Sequence, residues 1–215
     1  MSGTLKPYTI QKDLTVRTDK DLPPHITFEQ FKKIYHGLAG KFKDQILCGL
    51  LWETGGRIND VMSLRWKDFD LDRQMLKLFV DKREDTINIP IGRDMTSDMK
   101  NYQSVTHPGK DDYLFPSKSM SGHVSRVAAY KKIRSWGVKF LGLDSKPPGN
   151  LHPHMFRHGL AIYLLYSADL QGGLEGRLKT IAARLGHKSV AITERYYLVI
   201  TPELQRWALK DVPMR

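Results

Sequence analysis

The chain has 215 residues, a length that suits one domain of ordinary size, with or without a tail. Hydrophobic residues make up 40% of it and aromatic residues 10%, which is enough to fill a core and argues against disorder. Lysine and arginine outnumber the acidic residues by 34 to 23, so the formal net charge is +11. That excess favours a polyanionic partner, most commonly nucleic acid. Charge alone does not separate DNA from RNA, from a membrane surface or from simple solubility.

Cys48 is the single cysteine, which excludes a disulfide within the chain and fits a reducing compartment. It lies in an apolar run, so we expect a buried, unreactive thiol. The apolar runs are too short to span a membrane, and the N-terminus lacks the hydrophobic region of a signal peptide. These features predict a soluble, cytoplasmic protein without a membrane partner.

Residues 1–24 are polar, carry mixed charges and end in two prolines, which predicts a tail or linker. A first helix is predicted after Thr27, because a glutamine three positions later completes the spacing of a capping box. Residues 42–54 predict a second helix that a pair of glycines ends, and residues 57–64 predict a third.

The pattern then changes to that of strands. Residues 75–80 and 86–91 are rich in β-forming residues, and the second run alternates isoleucine with other residues. The charged residues 81–85 between them predict the turn of a β-hairpin. Residues 69–71 allow a third short strand.

Helical patterns return after the hairpin. We predict a helix over residues 93–104, a loop over 106–120 and a long basic helix over 125–141. Apolar residues at helical spacing predict two further helices, around residues 160–165 and 178–185. The chain is therefore predicted to be an α+β domain that is mainly helical, with a small antiparallel β-hairpin or sheet.

Four residues in the last third of the chain have the chemistry of a phosphate site. His154 and Arg157 are three apart, which places them on one face of a helical turn. His187 follows a Leu-Gly pair, and Tyr196 comes nine positions later. A guanidinium can hold two phosphate oxygens, and an imidazole can take or share a proton near neutral pH. A tyrosine hydroxyl becomes a useful nucleophile where cations or a base stabilise the phenolate.

Further candidates lie upstream. Arg57 follows two glycines at the start of a predicted helix, where amides and a guanidinium can bind an anion, and Asp60 follows three positions later. Lys82 lies in the predicted hairpin turn, where an isolated lysine is usually only solvated. A metal site at His152, His154 and His158 is an alternative, but no cysteine or acidic residue lies nearby in the sequence to complete it.

Taken in order, these residues resemble the motifs of the tyrosine recombinases, the phage-integrase family of site-specific DNA recombinases. The segment 54–60 is similar to the family's Thr-Gly-x-Arg motif with its following acid, and 154–157 to its His-x-x-Arg box. The segment 185–196 is similar to the Leu-Gly-His motif and the tyrosine that follows it. The resemblance spans roughly residues 26–200 and implies the catalytic-domain fold of this family.

The resemblance also implies a reaction. Tyr196 would attack a DNA phosphodiester and form a 3′-phosphotyrosyl bond, without a metal, ATP or any other cofactor. His154 would be the base, Lys82 the acid, and the two arginines and His187 would stabilise charge on the phosphate. The catalytic residues are thus predicted to be Arg57, Lys82, His154, Arg157, His187 and Tyr196, with Asp60 and His158 in support.

Basic residues of the predicted 125–141 helix are expected to contact DNA phosphates. They are Arg126, Lys131, Lys132, Arg134 and Lys139. By resemblance, the partners are double-stranded DNA and further copies of the chain in a tetrameric synapse, and the location is the nucleoid.

The predicted layout is a catalytic domain over residues 25–200 and a C-terminal tail over 201–215 with a short helix. Residues 1–24 are too few for the core-binding domain that most family members carry, so we expect that domain to be absent. The chain would then be an excised catalytic domain or a minimal, invertase-type recombinase. Residues 167–177 look longer than the family's usual connection and predict a surface loop.

Three rival functions remain open from the sequence. A relaxing enzyme similar to type IB topoisomerases would use the same chemistry without exchange of partners. A DNA-binding regulator on the same fold would lack catalysis, although such a protein would be free to lose Tyr196 or an arginine. A histidine-metal nuclease would need a divalent cation.

Overall fold

A computed structural model describes most of the chain. The described residues are 22–80, 85–118, 120–166, 173–187 and 189–197, with the main chain alone at 195–197. They form a mainly helical domain with one three-stranded antiparallel sheet, which confirms the predicted fold class. No helix among them is long and apolar enough to cross a membrane. The tail predicted over residues 201–215 lies outside the described part, as do residues 1–21.

Eight α-helices and three strands are described. The helices are α1 (Phe28–Gly37), α2 (Phe42–Thr54), α3 (Ile58–Met62), α4 (Arg93–Thr106), α5 (Arg126–Trp136), α6 (Pro153–Tyr166), α7 (Gly173–Leu185) and α8 (Val190–Tyr197). The strands are β1 (Phe69–Asp70), β2 (Met75–Val80) and β3 (Asp85–Pro90).

The first helices follow the sequence closely. Thr27 caps α1, and its side chain and that of Gln30 exchange hydrogen bonds with each other's backbone, as in the predicted capping box. Helix α2 has the predicted bounds and is apolar on most sides, because it packs against α1, α4 and α6 in the middle of the domain. Helix α3 is shorter than predicted, with Arg57 as its N-cap rather than its first residue.

The sheet has the order β1-β2-β3, with Leu76, Leu78 and Val80 of β2 facing the core. Strand β3 begins and ends one residue earlier than the predicted 86–91. Its hydrogen-bonded ladder with β2 runs from the pair Val80–Asp85 to the pair Met75–Pro90. The third strand, β1, is present as two residues.

The long basic helix covers nearly the predicted residues, because α5 continues beyond Trp136 as a wider π-helical turn over Gly137–Leu141, where Gly137 lies against Leu151. Two later predictions need correction. The His154 segment and the helix predicted over 160–165 are one continuous helix, α6. It begins at Pro153, since proline fits the first position of a helix, where no hydrogen-bond donor is needed. The surface loop predicted over 167–177 is wrong for 173–177, which are already part of α7.

Helix α6 belongs to two hydrophobic clusters. Phe156 is part of the main core, which α1 to α5 and the sheet also supply. The second cluster lies between α6 and α7 and contains Leu160, Ala161, Leu165, Leu178, Ile181 and Leu185. The chain before α1 crosses α6 so closely that a Cβ at Gly159 would lie 2.2 Å from the carbonyl oxygen of Ile26. Packing on both sides therefore fixes the helix that carries His154 and Arg157.

Candidate active site

The turn between α2 and α3 positions Arg57. Gly55 ends α2 in the left-handed conformation, with φ at 57°, which glycine adopts without steric cost. The Thr54 hydroxyl donates to the carbonyl of Leu50 at 2.6 Å and accepts from the amide of Gly56 at 2.9 Å. The turn is buried, yet the Arg57 side chain that follows is partly exposed. A rigid turn thus presents this guanidinium at the surface.

Arg157 joins the ends of two helices from inside the domain. It is buried, and its two terminal nitrogens donate to the carbonyls of Gly55 and Leu185, each at 2.6 Å. Carbonyls at helix C-termini lack intrahelical donors and carry partial negative charge, so a buried guanidinium is stabilised there. A Cβ at Gly55 would lie 2.5 Å from the Leu185 side chain, so the two helix ends are in direct contact. Arg157 thereby ties the Arg57 turn to the segment that contains His187.

His187 leaves α7 through a turn that depends on glycine. Gly186 has φ at 61°, in the left-handed region. The amide of His187 donates to the carbonyl of Ala182 at 2.8 Å, and that of Gly186 to the carbonyl of Ala183 at 3.1 Å. This pair of bonds is a Schellman ending, which explains the glycine directly before His187.

Four of the predicted catalytic residues come together at these helix ends. The charges of Arg57 and Arg157 act on both predicted histidines. The pKa of His187 is lowered to about 4, mainly by burial and then by the two arginines. Burial also lowers the pKa of His154, followed by the charge of Arg157 and other neighbours. Both imidazoles are therefore neutral near pH 7, while the arginines keep their charge.

The two residues predicted to support the site lie beside it. The Asp60 carboxylate is buried and lies 3.9 Å from the Arg57 guanidinium. The His158 ring stacks on that of His154 with centroids 6.2 Å apart, and burial is the first cause that lowers its pKa to about 4. The His152 ring lies 6.5 Å from that of His154. Although three histidines are neighbours, no group of His, Cys, Asp or Glu within the described residues could hold a metal ion.

The predicted nucleophile and the predicted acid stand at the edge of the described structure. Tyr196 and Tyr197 are in the last turn of α8, which packs against α6 and α7, but their side chains are not described. Lys82 falls within residues 81–84, which lie outside the described residues. The roles of Tyr196 and Lys82 therefore stay predictions.

Two contacts at the site involve residues that the sequence motifs did not single out. The Thr193 hydroxyl on α8 is buried and lies 2.8 Å from Nδ1 of His187. Arg184 on α7 donates from Nε to the carbonyl of Glu53 at 2.6 Å and from a terminal nitrogen to the carbonyl of Pro90 at 3.0 Å. Helix α7 is thereby connected to the end of α2 and to the end of the hairpin.

The basic residues predicted to contact DNA are spread along α5 and the π-turn. Arg126 is exposed and lines a surface cavity of about 500 Å³ together with Asn59 and Asp60, next to Arg57. Lys132 instead forms an ion pair of 2.5 Å with Asp44 in the first turn of α2, about 16 Å along that helix from its Gly55 end. Of the others, Lys131 and Lys139 are exposed and Arg134 is half-buried.

A comparison with protein families decides the relationship. The sequence model of the phage integrase family matches residues 24–201, a span that contains every described helix and strand and all the predicted catalytic residues. This chain belongs to the phage integrase family. Membership confirms the resemblance that the ordered motifs indicated.

Relatives within the phage integrase family are longer than this chain. The chain is 32% identical over 168 residues to a probable integrase/recombinase protein of Methanocaldococcus jannaschii, a match that covers 77% of this chain and 48% of that protein. It is 26% identical over 154 residues to the tyrosine recombinase XerC of Xanthomonas axonopodis pv. citri, which covers 72% of this chain and 46% of that protein. The chain thus spans about half the length of these curated relatives.

Solved structures of recombinases share the fold. XerA recombinase superposes with a TM-score of 0.70 at 19% identity, over 90% of this chain and 67% of that chain. XerH recombinase, solved with its difH substrate in a pre-cleavage complex, gives a TM-score of 0.67 at 21% identity, over 92% of this chain and 57% of that chain. The described domain therefore has the tyrosine-recombinase fold that the motifs implied.

Proposed function

We propose that this chain cleaves and rejoins DNA strands as part of a site-specific recombinase, through a phosphotyrosyl bond. The observation that carries the proposal is the bridge that Arg157 makes between the carbonyls of Gly55 and Leu185, because it brings two arginines, 100 positions apart in the sequence, together with two neutral histidines. Relatives that are named as recombinases, and a recombinase of the same fold solved on its DNA substrate, support DNA as the partner.

In the proposed reaction the hydroxyl oxygen of Tyr196 attacks a DNA phosphorus, forms a 3′-phosphotyrosyl bond and displaces the 5′ oxygen. His154, which is neutral, accepts the tyrosine proton, and Lys82 donates a proton to the departing 5′ oxygen. The resulting 5′ hydroxyl, or one from a partner duplex, then attacks the phosphotyrosine and reverses the step. One phosphoester replaces another each time, so the reaction needs no ATP.

Negative charge gathers on the non-bridging phosphoryl oxygens during each step, and donors fixed in advance stabilise it. Arg57 suits direct contact, since its ion pair with Asp60 is 3.9 Å long, beyond hydrogen-bonding distance, and its side chain is partly exposed. Arg157 donates to two carbonyls from inside the domain. We therefore propose that Arg157 acts through its charge and its hold on the two helix ends as much as through direct contact.

The duplex would be bound by the basic surface that begins at Arg126, which lines the same cavity as Asp60, the ion-pair partner of Arg57. Lys132 is a poorer candidate for early contact because it is paired with Asp44. Exchange between two duplexes requires several copies of the chain on DNA. Self-association into a tetrameric synapse, and action within the nucleoid, are therefore included in the proposal.

The test is covalent trapping on nicked duplexes whose sequence is randomised around the nick, in buffer with EDTA. The wild-type chain should form an SDS-resistant adduct that peptide mapping places on Tyr196. The Tyr196→Phe variant should form none, whereas Tyr197→Phe, the matched control, should retain it. A wild-type yield no higher than that of Tyr196→Phe would contradict the proposal, and an adduct lost only in Tyr197→Phe would move the nucleophile. Plasmid relaxation without exchange between two sites would favour a topoisomerase-like activity instead.

A further inference from the structure

The buried Thr193 side chain contacts the ring of His187, one of the predicted catalytic residues. Thr193 lies on α8, three residues before Tyr196, and its side chain is fully buried. Its hydroxyl oxygen is 2.8 Å from Nδ1 of His187, which stands on the turn after α7. Among the described residues, this is the only hydrogen bond that the Thr193 side chain makes. The contact therefore joins the proposed phosphate-binding histidine to the helix of the proposed nucleophile.

The chemistry of the two groups sets the direction of this hydrogen bond. A buried hydroxyl without an acceptor for its proton is costly, so the Thr193 proton points at Nδ1. Nδ1 then presents a lone pair, and a neutral imidazole carries its one proton on the other nitrogen, Nε2. The ring is neutral near pH 7, because burial and two nearby arginines lower the pKa of His187 to about 4.

We infer that Thr193 is a positioning residue, which holds His187 as the Nε2–H tautomer and so as a neutral hydrogen-bond donor to a phosphoryl oxygen. The opposite tautomer would aim a lone pair at that oxygen and repel it. The phosphate in this inference rests on the proposed function, whereas the tautomer is a property of the free protein. The tautomer of His187 and the proposed phosphate contact can therefore be tested, and refuted, separately.

Two variants separate the hydroxyl from the shape of the side chain. Thr193→Val keeps the branched shape and loses the hydroxyl, whereas Thr193→Ser keeps the hydroxyl and loses a buried methyl group. In single-turnover adduct formation, we expect Thr193→Val to be slower on the order of tenfold, less than the roughly 10²–10³-fold that loss of a whole donor costs. Thr193→Ser should react nearly as fast as wild type, although the cavity it leaves should lower its Tm. If Thr193 only fills space, Thr193→Val should instead be the more active of the two variants, because it keeps the shape of the side chain.

The tautomer itself is read by long-range proton–nitrogen NMR on full-length protein labelled with nitrogen-15 histidine, near neutral pH. The His187 signals are those that disappear in a His187→Asn variant. We expect the proton on Nε2 in wild type and in Thr193→Ser, and a mixture of tautomers in Thr193→Val. A wild-type proton on Nδ1, or a Thr193→Val variant that reacts at the wild-type rate, would overturn the inference. If wild type forms no adduct, the proposed function fails while the NMR result still decides the tautomer.

Discussion

Replacement of Arg157 by alanine should cost both activity and stability, whereas replacement of Arg57 should cost mainly activity. Arg157 donates two 2.6 Å hydrogen bonds from a buried charged group to the carbonyls of Gly55 and Leu185. Hydrogen bonds from charged groups contribute about 1.5–3 kcal/mol each, so Arg157→Ala should lower the free energy of unfolding by about 3–6 kcal/mol. At about 2–4 °C per kcal/mol for a domain of this size, the Tm should fall by at least about 6 °C.

Arg57 is the matched control, because it is the other arginine of the same site. Its side chain is partly exposed, and its ion pair with Asp60 is 3.9 Å long, beyond hydrogen-bonding distance. Because this pair is long and its arginine is partly open to solvent, Arg57→Ala should lower the Tm less than Arg157→Ala does, although it leaves the buried Asp60 carboxylate without that cation. Both variants should form adduct about 10²–10³-fold more slowly, since each lacks a cation that we propose stabilises the transition state.

Thermal unfolding by circular dichroism and single-turnover adduct formation provide the two measurements, the second at a temperature where both variants are folded. Equal Tm values for Arg57→Ala and Arg157→Ala would refute the view that Arg157 binds the helix ends together. If Arg157→Ala does not fold, Arg157→Lys keeps the charge but holds one carbonyl at a time. Its Tm should then be lower than those of wild type and Arg57→Ala, but a cooperative unfolding transition should still be measurable.

Three further changes test other parts of the structure. Arg184→Met removes the hydrogen bonds to two carbonyls. Because one of these bonds is part-buried and the other is exposed, the loss of stability in urea unfolding should be only about 1–3 kcal/mol, and Arg184→Lys should be nearer to wild type; equal stabilities would contradict this. The free energy of unfolding should fall as pH drops from 6.5 to about 4, because a histidine such as His158, with its pKa lowered to about 4, takes up its proton more readily in the unfolded chain. In urea unfolding at several pH values, His158→Asn should show a weaker dependence of this free energy on pH. Gly159→Ala places a Cβ 2.2 Å from a backbone oxygen and should cost about 1–3 kcal/mol, whereas Gly109→Ala, with its closest contact at 3.4 Å, should be neutral in the same assay.

The sequence predicted best those parts of the fold that depend on residues close together along the chain. The capping box at Thr27 involves residues three positions apart, and α2 ends as predicted because a left-handed glycine follows it. Strand β2 was likewise recognisable from its own residues. The catalytic motifs were found for a related reason, since each is a short segment whose order along the chain identifies the family.

Contacts between distant segments were not predictable in the same way. The helix predicted around residues 160–165 extends back to Pro153, and it is packed on both sides, which no local pattern indicates. Arg184 did leave a signal that could have been read. Arg177, Ile181 and Arg184 lie on one face of α7 at helical spacing; the first two are buried and Arg184 is half-buried. An arginine on the apolar face of a helix indicates buried acceptors, but not which ones.

The arrangement of arginines also explains how the proposed phosphate site can stay positively charged inside a folded protein. A buried guanidinium is stable only if its lost hydration is replaced. Main-chain carbonyls at the ends of α2 and α7 replace part of it for Arg157 without adding a negative charge, and those carbonyls in turn need donors that apolar packing cannot supply. The same bonds that close the helix ends therefore keep the field of a cation directed at the two histidines, before any DNA is bound.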